Sequence, residues 1–165
     1  MSDMETPREW EVVRTTYLIR IRLSRRDLLE QLAEECLEVA AATTGLKGNL
    51  QEEISDVLNV MHVMGIYDGV PAPENEEATQ NLLYMKGVGR TVGILAGSAA
   101  FNALKLIRAE KWTKNRTVEK RQDVLWKLME NLKYMLYRAW LLGCDLEINP
   151  EKIVRWWDRI KGEEQ

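Results

Sequence analysis

Leu32-Ala33-Glu34-Glu35-Cys36-Leu37-Glu38-Val39-Ala40, followed by Glu52-Glu53-Ile54-Ser55-Asp56-Val57-Leu58, is the stretch that decides how this chain reads. Each segment holds two carboxylates three residues apart, Glu35/Glu38 and Glu53/Asp56. On a helix, residues i and i+3 share a face. Helical steps back from Glu35 reach Leu32 and Leu28, and a step forward reaches Val39. In the second segment Glu53 continues into Val57, Val60 and Met64, and Asp56 lines up with Val60 and Val63. A solvated charge run would set its acids opposite the apolar stripe; these interrupt or flank it.

Two such helices side by side would gather four carboxylates into one small volume. Unpaired carboxylates taken out of water are costly, so something must compensate. One answer is a divalent cation, since Mg²⁺ takes oxygen ligands. The other is a buried Lys or Arg, with Arg20, Arg22, Arg25 and Arg26 as candidates. Bound Mg²⁺ would point to chemistry on phosphates.

The flanking sequence predicts an all-α chain, since no segment alternates with strand period over a useful length. A first helix falls within Glu9 to Arg22. Ser24 is placed to cap a second that runs to about Thr44, where Gly45 and Gly48 stop it. Asn49 is placed to cap a third from Leu50 to about Ile66. Asp68-Gly69, Pro71 and Pro73 mark a loop. Helix resumes near Glu76, with a break or close packing expected around Gly87, Gly89, Gly93 and Gly97, and reaches about Trp112. Thr117 opens a long helix with Leu125, Met129, Leu132 and Leu136 at core spacing, ending at Gly143. Asn149-Pro150 starts a last short helix, with Pro at the favoured first position. The two halves suggest a degenerate duplication of a helix pair, in which Phe101-Asn102-Ala103-Leu104-Lys105 stands where the first half has its acids.

Composition sets the bounds. At 165 residues, 45% hydrophobic and 30% charged, residues 1–165 suit one domain with a real core. A net charge of −3 argues for no nucleic-acid or membrane partner. Cys36 and Cys144 form no CxxC pair and read as reduced core thiols. The polar, acidic stretch from Met1 to Glu11 is unlike a secretion signal, and Val92–Leu104 is too short an apolar run for a bilayer, so a cytoplasmic protein is expected. Gly87-Val88-Gly89-Arg90 follows no strand and lacks the Walker Lys-Ser/Thr, which excludes a phosphate loop of that kind.

The motif pair, Glu-Glu-x-x-Glu and then, after fourteen intervening residues, Glu-x-x-Asp, resembles the all-α nucleoside triphosphate pyrophosphatases. That superfamily includes MazG-like proteins, dimeric dUTPases and phosphoribosyl-ATP pyrophosphohydrolases. The resemblance covers about forty residues closely and the rest in helix order. It implies a MazG-like helical bundle with its metal-binding helix pair at about 24–66. It implies Glu35, Glu38, Glu53 and Asp56 as ligands of Mg²⁺, with Mn²⁺ able to substitute and two or more ions per site. Glu34 would be a further catalytic acid that binds another metal or positions the attacking water. The implied reaction is hydrolysis of a (d)NTP to the (d)NMP and pyrophosphate, on a purine deoxynucleotide such as dGTP or on dUTP. A homodimer or homotetramer would complete the pocket.

Substrate contacts follow less directly. Many relatives carry Asn and a basic residue in the final helix. Here the matching stretch is Arg155-Trp156-Trp157-Asp158-Arg159-Ile160-Lys161, where Arg159 takes the place of the Lys and Trp156 that of the Asn. Arg159 and Lys161 are the expected phosphate contacts, and Trp156 a stacking surface for the base. Asn102 and Lys105, in the counterpart of the acidic segment, are the further candidates. The alternative to an enzyme is a non-catalytic helical interaction protein whose acids pair with Arg or Lys. A ferritin-type carboxylate bundle would need Glu-x-x-His pairs, and His62, the one histidine, forms none.

Overall fold

The computed structural model describes residues 6–45, 48–67, 87–109 and 118–163. Six helices account for its regular structure, with no strand among the described residues: α1 (Glu9–Arg22), α2 (Arg25–Thr43), α3 (Leu50–Met64), α4 (Val88–Ala109), α5 (Val118–Leu141) and α6 (Pro150–Gly162). The expected loop at Asp68–Pro73, the resumption of helix near Glu76, the stretch to Trp112 and the opening at Thr117 lie outside the described residues.

Local chemistry explains the boundaries. Ser24 Oγ accepts from the Asp27 backbone N–H while the Asp27 carboxylate accepts from Ser24 N–H, a reciprocal capping box that starts α2. Asn49 caps α3 through Gln51 N–H, and Asn149 caps α6 through Lys152 N–H ahead of Pro150. α3 stops two residues short of the predicted Ile66, because Gly65 takes a left-handed conformation (φ 74°) that terminates it.

α2 is central. It packs on α3 on one side and on α4 on the other, and α4 packs in turn on α5. Leu32, Cys36 and Val39 of α2 meet Ile54, Val57 and Leu58 of α3, together with Val92, Ala96, Ala99 and Ala103 of α4, in the main core. Gly93 lets α2 and α4 approach closely, since a side chain there would run into Thr43 Oγ1. Gly93 thus serves packing, whereas a side chain at Gly97 would meet open space, and α4 continues through both without a break. On α5 the expected core positions hold in part: Leu132 and Leu136 are buried as expected. Val124, Leu128, Leu132, Met135 and Ala139 are buried, whereas Leu125 is exposed and Met129 only partly covered. Apolar residues occupy both sides of this helix, so spacing alone left its inward face ambiguous.

α4 is also longer than the apolar run Val92–Leu104. It spans 22 residues with a window of mean hydropathy 1.3, long and apolar enough by those measures to cross a bilayer, and half of that window is buried within the protein against its helical neighbours. Cys36 and Cys144 are buried free thiols, and burial pushes the Cys36 thiol up to about 12.

A smaller cluster, Val12, Ile19, Leu28, Val63 and Ile153, joins α1, the start of α2, α3 and α6. Polar clamps fix where α6 begins. Asn59 of α3 donates from Nδ2 to Asn149 O at 3.1 Å and accepts from Asn149 N–H at 2.7 Å. Gln51 exchanges two hydrogen bonds with the Asp145 backbone, and Tyr67 Oη donates to Leu146 O. Residues 145–149 are thereby stitched along α3, so α6 starts beside the acidic segment.

Candidate functional site

Glu35 and Glu38 project from α2 and Glu53 and Asp56 from α3, one helical step apart in each pair. Packing of α2 on α3 brings one carboxylate oxygen from each within 4.8 Å of the others. Two full charges at that separation repel by roughly 3–4 kcal/mol at the effective dielectric of a protein surface. The group could hold a metal ion, as its oxygen-only donor set suits a hard cation.

The surroundings compensate this charge only in part. Gln31 Nε2 donates to Glu35 Oε1 at 2.7 Å. Glu35 Oε2 and Glu53 Oε2 are both shut off from solvent and have no hydrogen-bond partner among the described residues. Burial is the main force raising the Glu35 carboxyl to about 7; the Gln31 hydrogen bond opposes it, and the charges of Asp56 and Glu38 add to it. Glu53 also rises to about 7, through burial first and then the adjoining Glu38 carboxyl and the charges of Asp56 and Glu52. Gly48 (φ 93°) lies so close to Glu53 that a Cβ there would stand 2.9 Å from Oε1, so the backbone itself walls this carboxylate.

The cation facing the acids is Lys152, which sequence reasoning missed. Its Nζ donates to Asp56 Oδ1 at 2.8 Å and Oδ2 at 3.0 Å, and to Glu52 Oε1 at 2.9 Å. Of the arginines suggested as partners, Arg20 donates from Nε to Val63 O, and Arg26 pairs with Glu30 on its own helix. The available signal was the spacing 152, 155, 159, which sets Lys152, Arg155 and Arg159 on one face of α6.

These residues border a hollow of about 650 Å³ lined by Glu35, Glu38, Asp56, Lys152, Arg155, Asp158 and Arg159. A second hollow, about 520 Å³, opens on the other side of Glu35 and Glu38 and includes Glu34, Gln31, Trp156 and Arg159. Both are in the size range of small-molecule sites. Of the residues singled out from sequence, Glu34, Glu35, Glu38, Asp56, Trp156 and Arg159 border one or both hollows, and Glu53 completes the carboxylate group. Lys161 lines neither; it pairs with Asp158 at 3.3 Å on its own exposed helix face. Asn102 and Lys105 line a separate hollow between α4 and α5, with Phe101, Lys127 and Asn131. There Asn102 Nδ2 donates to Asn131 Oδ1 at 2.7 Å, a neutral amide bridge between α4 and α5. His62 is half-buried, and burial together with the Arg20 charge lowers its pKa.

Compared with known protein families, with characterised proteins and with solved structures, the chain gives no match.

Proposed function

We propose that this chain is a Mg²⁺-dependent nucleoside triphosphate pyrophosphohydrolase, converting a (d)NTP and water to the (d)NMP and pyrophosphate. The observation that carries this reading is the meeting of opposite charges across one hollow: clustered carboxylates of α2 and α3 on one wall, and Lys152, Arg155 and Arg159 of α6 on the other. Acids alone would suit a cation, and bases alone an anion. Together they suit a polyphosphate that arrives with its cation.

Two oxygens out of reach of solvent and without a partner fit the same view, because an ion would satisfy both. Glu35, Glu38, Glu53 and Asp56 would hold it, and four two-oxygen carboxylates suffice for more than one ion. When bound, Mg²⁺ or Mn²⁺ makes a water nucleophilic at neutral pH and neutralises charge on the departing pyrophosphate. Lys152, Arg155 and Arg159 would grip the triphosphate, with Arg able to meet two phosphate oxygens at once. Gln31 holds the Glu35 carboxylate in place from the second hollow. Glu34, exposed on that side, is available to orient the attacking water, and Trp156 offers a flat face to a base.

Product analysis tests this. The protein is incubated with each NTP and dNTP and with dUTP, in Mg²⁺, Mn²⁺ or EDTA, and the products are separated by ion exchange. Metal-dependent monophosphate and pyrophosphate from one or a few nucleotides supports the reading and names the base, a purine deoxynucleotide or dUTP. Release of orthophosphate, or no turnover, counts against it.

One observation favours a second reading, a non-catalytic helical interaction protein: Asp56 already has a cation in Lys152. Asp56→Asn separates the two. Lost turnover with a retained fold supports catalysis, whereas an inactive parent with no cation affinity supports the binding protein.

A further inference from the structure

The hollow of about 500 Å³ between α4 and α5 shares no lining residue with the two hollows beside the carboxylates. Gly97 keeps it open. A glycine inside a helix is unfavourable relative to alanine, so its presence asks for a reason. Gly93, one turn earlier, has one in Thr43, but a side chain at Gly97 would meet nothing. Packing does not call for this glycine, and its effect is to leave room in the hollow. One turn further on stands Phe101, the one phenylalanine of the chain, 57% exposed at the rim beside an equally exposed Ile94. An aromatic face standing in water over a hollow is a surface on which a flat ring can stack.

The charged residues of the lining are both basic, Lys105 and Lys127, in a chain whose net charge is −3. Lys105 Nζ lies 4.7 Å from the centre of the Phe101 ring, so a positive charge and a flat apolar face are presented side by side. Lys127 pairs with Asp123 at 3.1 Å, but both side chains are more than half exposed, and such a pair is weak enough to give way to a phosphate. Between the two lysines and the core lies the bridge from Asn102 to Asn131. It uses Asn102 Nδ2 and Asn131 Oδ1, which leaves one acceptor, Asn102 Oδ1, and one donor, Asn131 Nδ2, outside it. Cations, a flat face and an adjacent donor and acceptor suit a small aromatic anion, and the volume is that of a small-molecule site. A mononucleotide supplies all three counterparts: phosphate, ring, and a ring edge that both donates and accepts.

We propose that the α4–α5 hollow is a second ligand site, one that takes a nucleoside monophosphate. Its phosphate rests on Lys105 and Lys127, its base lies against Phe101, and the Asn102–Asn131 pair meets the base edge. No carboxylate lines this hollow among the described residues, so binding there needs no metal ion. The inference therefore stands apart from the hydrolysis proposed above.

Titration of the full chain in EDTA, followed by amide NMR, tests it. EDTA silences metal-dependent binding at the carboxylates. AMP, GMP, CMP and UMP are the probes, and inorganic phosphate is the control. At least one nucleotide should shift the Gly97 backbone amide and the Asn102 and Asn131 side-chain amides saturably. Phosphate should bind at least ~10-fold more weakly, since it lacks the stacked ring. Gly97→Met places a side chain in the open space and should weaken nucleotide binding at least ~10-fold while helicity and melting are kept or raised. Lys105→Gln/Lys127→Gln should weaken it by ~10-fold or more through the lost charged hydrogen bonds. Three results overturn the proposal: no saturable shift at these amides with any nucleotide, phosphate binding as tightly as the nucleotides, or a folded Gly97→Met variant that binds as the parent does. Should Gly97→Met not fold, the lysine pair decides: weakened binding supports the site, and unchanged binding overturns it.

Discussion

Lys152 Nζ stands 2.8 Å from Asp56 Oδ1, joining α6 to the acidic helix pair across 96 residues of sequence. Burial opposes the lysine's charge, but the hydrogen-bonded carboxylates of Asp56 and Glu52 outweigh it and raise its pKa. The pair ties down one acid of the cluster and leaves Glu35 Oε2 and Glu53 Oε2 unsatisfied. Lys152 and a bound cation therefore compete for the same negative field, while Lys152 and a bound phosphate attract.

Replacing Lys152 separates these roles. Lys152→Met keeps an apolar stem and removes the charge. Mn²⁺ affinity, measured by calorimetry, should rise roughly 3–10-fold as a competing charge of that proximity is lost. The KM for a nucleotide triphosphate should rise as well, because a phosphate contact is gone.

Glu38 is the exposed member of the cluster. Glu38→Gln relieves repulsion, so the metal-free protein should melt no lower than the parent and gain up to ~1 kcal/mol. The same variant should lose the rise in Tm that Mg²⁺ or Mn²⁺ gives the parent, and turnover should fall by about 100-fold or more if the carboxylate holds the ion. Calorimetry with and without metal, beside a kinetic assay, reads both effects.

Acidity should stabilise the metal-free protein across a defined window. Glu35 and Glu53 bind their protons more tightly in the folded chain, at about 7 against an ordinary 4.5. Their contribution to stability is thus complete below about pH 4.5 and lost as pH rises through about 7, since the unfolded chain releases those protons first. Urea midpoints taken from pH 5 to 8 in EDTA should fall with pH. Saturating Mg²⁺ should flatten or reverse the slope, as ion binding favours the deprotonated acids.

The contact between α2 and α4 sets a steric test far from the charges. Gly93→Ala would drive a methyl group against Thr43 Oγ1, which itself donates to Ala40 O at 2.8 Å. The expected cost is about 1–3 kcal/mol, as for other overpacked cores. Thr43→Ala removes the obstructing oxygen, so the double variant should recover much of that loss, and a double-mutant cycle by urea unfolding measures the coupling.

Parts of this arrangement were legible because they rest on neighbours in sequence. Ser24, Asn49 and Pro150 announce their helices through local hydrogen bonding and a fixed backbone angle, and the structure starts α2, α3 and α6 where they stand. The helical step alone puts Glu35 with Glu38 and Glu53 with Asp56. The inward face of α5 was not legible in the same way, since Val124 and Leu125 are both apolar and only contact with α4 distinguishes them.

The sequence by itself determined an all-α chain and two acidic helix faces, because capping and the 3.6-residue period act within a few residues. Tertiary structure decided which cation meets those faces. Lys152 reaches Asp56 because Asn59, Gln51 and Tyr67 hold residues 145–149 along α3, contacts spanning 79 to 94 positions. It also moved Asn102 and Lys105 to a hollow of their own. Such outcomes depend on how helices pack on one another, and pairing between distant residues has no period for a sequence to display.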